Sequence, residues 1–197
     1  MPEKSPLEAT SRLFIVSGPS GAGKTSVCGP ILERFPAMSM SVSVTTRKAR
    51  VGERDGVDYH FLSCDDFQRR LGENQFLEWA SYNENLYGTP RWPMDAALAR
   101  GKTFLVEIEV DGTRQLRERA IDGLYVFIAP PNIEELRRRL VNRGTNEAEE
   151  IDQRVHIAKE EIAAASSEVA GSPLYDVIVE NVVLEDTIKR VEELLWP

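Results

Sequence analysis

Short apolar runs alternate along this chain with amphipathic stretches, and that rhythm predicts most of its elements. Leu13–Ser17 (LFIVS) is a β-branched apolar run ending at a glycine-rich turn, which predicts a buried strand. Thr25–Phe35 predicts a helix stopped by Pro36, with Pro30 inside it predicting a kink or loosening. Met40–Val44 reads as a second strand, Cys64–Leu71 as a brief helix, and Gln75–Tyr82 and Asn85–Tyr87 as short strands or turns. Between Ser43 and Trp92 no long period holds, so this stretch reads as an inserted lobe of short elements. Regular alternation then resumes with helices at Pro93–Arg100, Thr113–Arg119 and Ile133–Asn142 and strands at Thr103–Ile108 and Tyr125–Ala129. Ile151, Val155, Ala158, Ile162, Ala165 and Val169 recur in steps of three and four, predicting one helix over Glu149–Val169. A strand at Asp176–Val179 and a helix at Glu185–Leu195 complete the pattern. Strands alternating with helices imply an α/β fold, a parallel sheet flanked by helices on both faces.

Composition narrows the functions open to such a fold. At 197 residues the chain suits one domain with small inserted lobes, and 42% hydrophobic content can fill a core. Its formal charge of −8 disfavours a polyanion binder, so no nucleic-acid polymer is expected as partner. No apolar run reaches about 20 residues, so no membrane partner is expected either. The opening MPEKSPLEATSR reads as a polar tail without the apolar region of a secretory signal. Cys28 and Cys64 show no ligand spacing and read as thiols in a reducing, cytoplasmic setting.

Gly18-Pro19-Ser20-Gly21-Ala22-Gly23-Lys24-Thr25, followed by Ser26, fits G-x-x-x-x-G-K-[ST] between a strand and a helix start. Glycines let the backbone fold into a nest of inward N–H groups, and the helix N-terminus behind it adds partial positive charge. Lys24 then reaches the β- and γ-phosphates of ATP, and the Thr25 hydroxyl is placed to ligate Mg²⁺. The motif leaves the acceptor open. In the lobe, Arg47 and Arg50 stand three apart near Tyr59, a set able to grip one phosphate or to form a solvated basic loop.

Four ordered stretches, GPSGAGKT, SVSVTTRKARVGERDGVDYHF, FLEWASYNENLYGT and IAPPNIEELRRRLVNRGT, together resemble the guanylate kinase family from Leu13 to the end. The resemblance implies a P-loop NTPase-type core (12–42 and 93–197), a GMP-binding lobe (43–92) and a helical lid (about 137–154). It implies transfer of the γ-phosphoryl group of ATP to GMP or dGMP, by a monomer or homodimer. Arg47, Arg50, Tyr59 and Tyr87 would hold the GMP phosphate. Ser43, Glu78 and Thr89 would face guanine, with Glu109 at the base or the metal shell. Arg139, Arg143 and Arg154 would close over the phosphates, while Arg137 and Arg138 belong to an outer charged face.

A carboxylate suits guanine, which offers adjacent donors at N1 and the 2-amino group where adenine offers an acceptor and none. No general base is needed, because a phosphate monoester with a second pKa near 6 is already largely dianionic at neutral pH. His60 and His156 are accordingly left without a role. The chain departs from the family pattern at Glu109 (usually Asp), Asp111 (usually Gln) and Glu180-Asn181-Val182 (usually Asn-Asp-Asp), which puts metal and adenine-side contacts in question, and at Pro90, which is expected to stiffen a turn that often carries Ser. Two other readings compete: a non-catalytic guanylate-kinase-like binding module, against which Lys24 and Thr25 argue, and a kinase for another small acceptor, against which Glu78 and the tyrosines argue.

Overall fold

The computed structural model describes residues 13–142 and 148–195, so the polar N-terminal stretch and Arg143 lie outside the described residues. In chain order the elements are β1 (Leu13–Ser17), α1 (Lys24–Arg34), β2 (Met38–Met40), β3 (Val44–Thr45), β4 (His60–Phe61) and α2 (Cys64–Gly72). There follow β5 (Phe76–Tyr82), β6 (Asn85–Pro90), α3 (Trp92–Leu98), β7 (Thr103–Glu107), α4 (Val110–Glu118) and β8 (Leu124–Ala129). The chain then forms α5 (Ile133–Asn142), α6 (Ala148–Ala164), β9 (Glu168–Val169), β10 (Ser172–Pro173), β11 (Val177–Glu180) and α7 (Leu184–Leu195).

β1 is apolar throughout because it lies in the middle of a five-stranded, wholly parallel sheet of order β11-β8-β1-β7-β2. Its side chains alternate between faces. Leu13 and Ile15 join Phe104, Val106, Tyr125 and Phe127 under α3, α4 and the end of α6. Phe14 and Val16 join Leu105, Val126 and Ile128 under Val27 and Ile31 of α1 and Ile188 and Val191 of α7. A separate cluster of Leu136, Leu140, Ile151, Val155 and Ala158 seals α5 against α6. The stretch without a long period folds as a second sheet of order β4-β3-β6-β5, with Phe67 of α2 stacked on Phe76 at 4.5 Å.

Three expectations need correction. Met40–Val44 is not one strand. Met38–Met40 pairs with β7 in the large sheet, whereas Val44–Thr45 pairs with β4 and β6 in the small one, where Val44 packs with Phe67 and Phe76. The polar residues between, Ser41 and Ser43, mark the crossing from one core to the other. The long helix ends at Ala164, not Val169. Its last turn tightens through Ser167 N to Ala164 O (2.9 Å), and Ala170 and Gly171 at positive φ then reverse the chain into the β9–β10 hairpin. Val169 still packs on the core, from a strand, which is why it mimicked the helical period. Pro90 sits at the end of β6, paired with Phe76, and is not in a turn.

Pro30 does not break α1, which runs on to Arg34 and is closed by Phe35 N to Ile31 O (3.0 Å). Burial of Ile31 and the ion pairs of Arg34 with Glu185 (3.2 Å) and Glu192 (2.8 Å) of α7 hold the last turn against the lost hydrogen bond. Ile31→Ala should therefore destabilise the fold by about 2–5 kcal/mol, read by chemical denaturation. A loss under about 1 kcal/mol would show that this turn does not anchor the helix.

Candidate active site

Strand β1 delivers the chain straight into the glycine-rich loop, whose start is fixed by crowding. A Cβ on Gly18 would lie 2.3 Å from the Ile128 carbonyl oxygen, so only glycine passes there. Gly23, in the left-handed region, caps α1 without a side-chain bond, and the first turn of α1 holds no acidic residue. The helix N–H groups are thus left facing the loop interior, an arrangement suited to an anion. Lys24 is nearly buried, and its ammonium donates to the carbonyls of Gly18 and Pro19, the latter at 3.3 Å.

A cavity of about 550 Å³ opens from this loop. One wall is Pro19, Ser20, Gly21, Gly23, Lys24 and Thr25; the other includes Ser43, Tyr59 and Glu109. The Thr25 hydroxyl donates to the Glu107 carboxylate at 2.7 Å, where β7 ends beside the loop. Glu107 escaped the sequence reading, although its place at the end of a buried strand facing the loop is a usable signal. Glu109 is exposed at the N-cap of α4, and Asp111 is exposed in its first turn, where a negative charge suits the helix terminus.

Glu78 does not line this cavity; it is buried against Gly112 of α4, by a device that the sequence does not display. The pairing of β5 with β6 slips between Phe76 and Glu78, so Phe76, Leu77 and Glu78 are buried in succession instead of alternating. Arg119 donates to the Phe76 and Leu77 carbonyls (3.2 and 2.9 Å), and Gln115 bonds both backbone groups of Trp79 (3.2 and 2.8 Å). Gln115 lies on α4 and Arg119 at its C-cap. Thr89, almost wholly buried, donates its hydroxyl to Glu78 Oε1 at 2.5 Å. Burial pushes the Glu78 carboxyl above its ordinary range; the Thr89 bonds oppose this and the charge of Glu109 adds to it.

Arg47, Tyr59 and Tyr87 are brought together. The Arg47 guanidinium lies 5.4 Å over the Tyr59 ring, and Tyr59 meets Tyr87 edge-on at 6.2 Å. Glu53, which the sequence reading also passed over, binds Arg47 through two bonds of 2.8 and 2.9 Å and accepts the Arg50 N–H at 2.7 Å. Those hydrogen bonds hold the Glu53 carboxyl down at about 2. The Arg50 side chain is exposed.

Arg139 lies on the other side of the phosphate loop, donating to Ala22 O (3.2 Å), Asn181 O (3.0 Å) and Glu135 (2.8 Å). Arg154 pairs with Glu150 at 2.8 Å. The outer arginines are paired as well, Arg138 with Glu135 at 2.7 Å and Arg137 with Asp152 of α6. Asn181 uses its amide to donate to Ala22 O (2.8 Å) and to accept from Thr187 (3.1 Å), which makes it a brace for the loop. His156 is exposed on α6 with Glu160, and His60 lies against Trp92, so neither faces the cavity.

The chain is similar to known proteins over most of its length. The family model for guanylate kinase matches residues 10–197. The guanylate kinase of Clostridium perfringens (strain SM101 / Type A) is 41% identical over 183 residues, covering 93% of this chain and 82% of that protein. That of Carboxydothermus hydrogenoformans is 43% identical over 183 residues (93% and 86%), and that of Thermobifida fusca 48% over 153 residues (78% of each). Among solved structures, the guanylate kinase from Anaplasma phagocytophilum superposes with a TM-score of 0.73 at 30% identity, covering 97% of this chain and 87% of that one. With a glycine-rich loop between strand and helix and relatives of this closeness over nearly its whole length, the chain belongs to the guanylate kinase family, the ATP:GMP phosphotransferases.

Proposed function

We propose that the cavity between the phosphate loop and the small sheet is where ATP and GMP meet, with residues 43–92 as the GMP lobe and about 137–154 as the lid. What carries this reading is one continuous cavity lined by Lys24 and Thr25 on one wall and by Ser43, Tyr59 and Glu109 on the other. The triphosphate enters the loop, where the open α1 terminus and the backbone nest receive its oxygens. Lys24 exchanges its carbonyl partners for phosphate. Arg47, Arg50, Tyr59 and Tyr87 hold the GMP phosphate in line, and Glu78, set by Thr89, accepts from guanine N1–H and the amino group. GMP or dGMP fits this scheme, because nothing in it contacts the 2′ position.

Mg²⁺ fits the residues present. The Thr25 hydroxyl and Glu107 carboxylate are hard oxygen donors 2.7 Å apart at the loop mouth, and Mg²⁺ usually takes one or two protein oxygens beside waters and phosphates. Among the described residues no group of three or more His, Cys, Asp or Glu gathers to hold a metal alone, which suits an ion arriving with the nucleotide. Bound there, it would neutralise charge on the β- and γ-phosphates. Arg139 and Arg154, and Arg143 beyond the described residues, would add charge from the lid once released from Glu135 and Glu150. A cytoplasmic setting belongs to the same proposal and is supported by two free cysteines.

Three measurements test these roles. Lys24→Ala should lower turnover of ATP with GMP by at least about a hundredfold while GMP binding, read by calorimetry, stays within a few-fold. Retained turnover would refute the phosphate-loop assignment. Glu78→Gln replaces one acceptor with a donor and should cut the preference for GMP over AMP by about a hundredfold or more in kcat/KM; an unchanged preference removes Glu78 from base reading. Gly112 of α4 lies beneath Glu78, and a Cβ there would stand 2.9 Å from Glu78 Oε2. Gly112→Ala should accordingly raise KM for GMP about tenfold and leave KM for ATP alone, whereas equal effects on both would mean a general loss of structure.

A further inference from the structure

Among the described residues, β5 is an edge strand of the small sheet, paired with β6 on one side only. Its first three residues are buried, Trp79 is half-buried, and residues 80–82 run out exposed to a hairpin tip where Asn83 and Glu84 take positive φ. Glu78 therefore lies just inside the point at which the strand leaves the core, and pairing frays from such exposed ends. A neighbouring strand would ordinarily hold that point, since facing residues of an antiparallel pair exchange both of their backbone bonds. Here one side chain takes its place. Gln115 Oε1 accepts the Trp79 N–H at 3.2 Å, and Gln115 Nε2 donates to the Trp79 carbonyl at 2.8 Å. The amide thus reproduces on the outer edge the two bonds of a strand partner. On the inner edge Trp79 faces Gly88 of β6, packed so closely that a Cβ there would lie 3.2 Å from the Glu78 carbonyl oxygen. Gln115 stands three residues beyond Gly112, on the same side of α4, and the helix starts at Glu109, which lines the cavity. One short helix accordingly meets the cavity, the carboxylate and the strand that carries it.

We infer that Gln115 is a specificity-determining positioning residue: by pairing with both backbone groups of Trp79 it fixes the peptide that follows Glu78, and so sets the direction in which that carboxylate meets the acceptor base. The inference rests on the reading of Glu78 as the group that accepts from guanine. Thr89 holds one carboxylate oxygen at 2.5 Å and Gly112 leaves room for the other, but both act at the tip of the side chain. Its root is the backbone of β5, which Gln115 ties down on the open edge. Arg119 bonds the Phe76 and Leu77 carbonyls on the other side of Glu78, so the buried run is fastened both before and after the carboxylate. Gln115 itself does not line the cavity. Loss of its amide therefore reaches the acceptor through Glu78 and leaves the phosphate loop as it is. A misplacement of about 1 Å is enough to cost up to about a hundredfold in rate.

The test is Gln115→Met in the full chain, which keeps the length of the side chain and removes both bonds. kcat/KM for GMP should fall about tenfold, while kcat/KM for AMP and KM for ATP each stay within about twofold. A fall shared equally by both acceptors marks a plain structural prop and overturns the inference, and so does an unchanged preference for GMP. Glu78→Gln and the double variant are measured alongside. Because Gln115 acts through Glu78, adding Gln115→Met to Glu78→Gln should narrow the preference by less than about a further twofold. Two full losses that multiply would overturn the inference. If Glu78→Gln keeps the native preference, the underlying reading of Glu78 fails; if it loses the preference while Gln115→Met keeps it, only the present inference fails. Should Gln115→Met not fold, Arg119→Met, at an exposed position, removes the adjoining bonds and carries the same expectations.

Discussion

Repulsion between two polyanionic nucleotides is the constraint on which the rest of this structure depends. Two unit charges 4 Å apart at an effective dielectric of about 20 repel by about 4 kcal/mol, and a triphosphate facing a monophosphate multiplies such pairs. The chain meets this with a net charge of −8, so the opposing charge has to be local. It comes from an α1 terminus with no acidic residue in its first turn, from Lys24 inside the loop, and from arginines arranged on both sides of it. The acidic residues near the cavity stand on the acceptor side and at the loop mouth: Glu78, Glu107 and Glu109. There, on the proposed reading, a base edge and a metal offer positive partners.

A second regularity is that three of the arginines proposed to meet phosphate are held by carboxylates of the protein. Arg47 is bound by Glu53, Arg139 by Glu135 and Arg154 by Glu150. An arginine so held keeps its position without an anion, and an arriving phosphate exchanges one charge-assisted bond for another instead of ordering a free side chain. Arg50, with its exposed side chain, is the exception, and its backbone is fixed by Glu53.

The large sheet was legible in the sequence because its strands are buried on both faces and read as apolar runs, and because Pro and Gly punctuate them. The phosphate loop was legible because glycine at close approach, lysine and threonine have no cheaper substitutes. What escaped detection was set by contacts between distant segments. Nothing local to Phe76-Leu77-Glu78 announces a slipped register. It is enforced by Gln115 of α4 and by Arg119 at its C-cap, some 40 residues on, through backbone groups that any sequence possesses. Likewise the steps of three and four ending at Val169 are satisfied partly by a helix and partly by a hairpin, since both bring that residue to the same core. Arginine roles were legible as residue type and spacing, but which carboxylate holds each depends on the folded arrangement of loop and helix.

Burial of Glu78 would, on the proposed reading, set selectivity against stability. A carboxylate with one short bond from Thr89 and no nearby cation strong enough to offset its desolvation resists ionisation, and the direction of its shift says so. On the proposed reading, guanine would supply the ionised carboxylate with the donors that the folded protein withholds, whereas adenine, with an acceptor at N1 and no 2-amino group, would not. On that reading the protein keeps an unfavourable group in place until the right base relieves it, and the energy of recognition would be drawn from a deficit already present in the folded site. Gly112, the β-bulge and the α4 contacts all serve to keep that deficit from relaxing. A looser pocket would admit water, solvate the carboxylate before any base arrived, and surrender the difference on which the choice between purines rests.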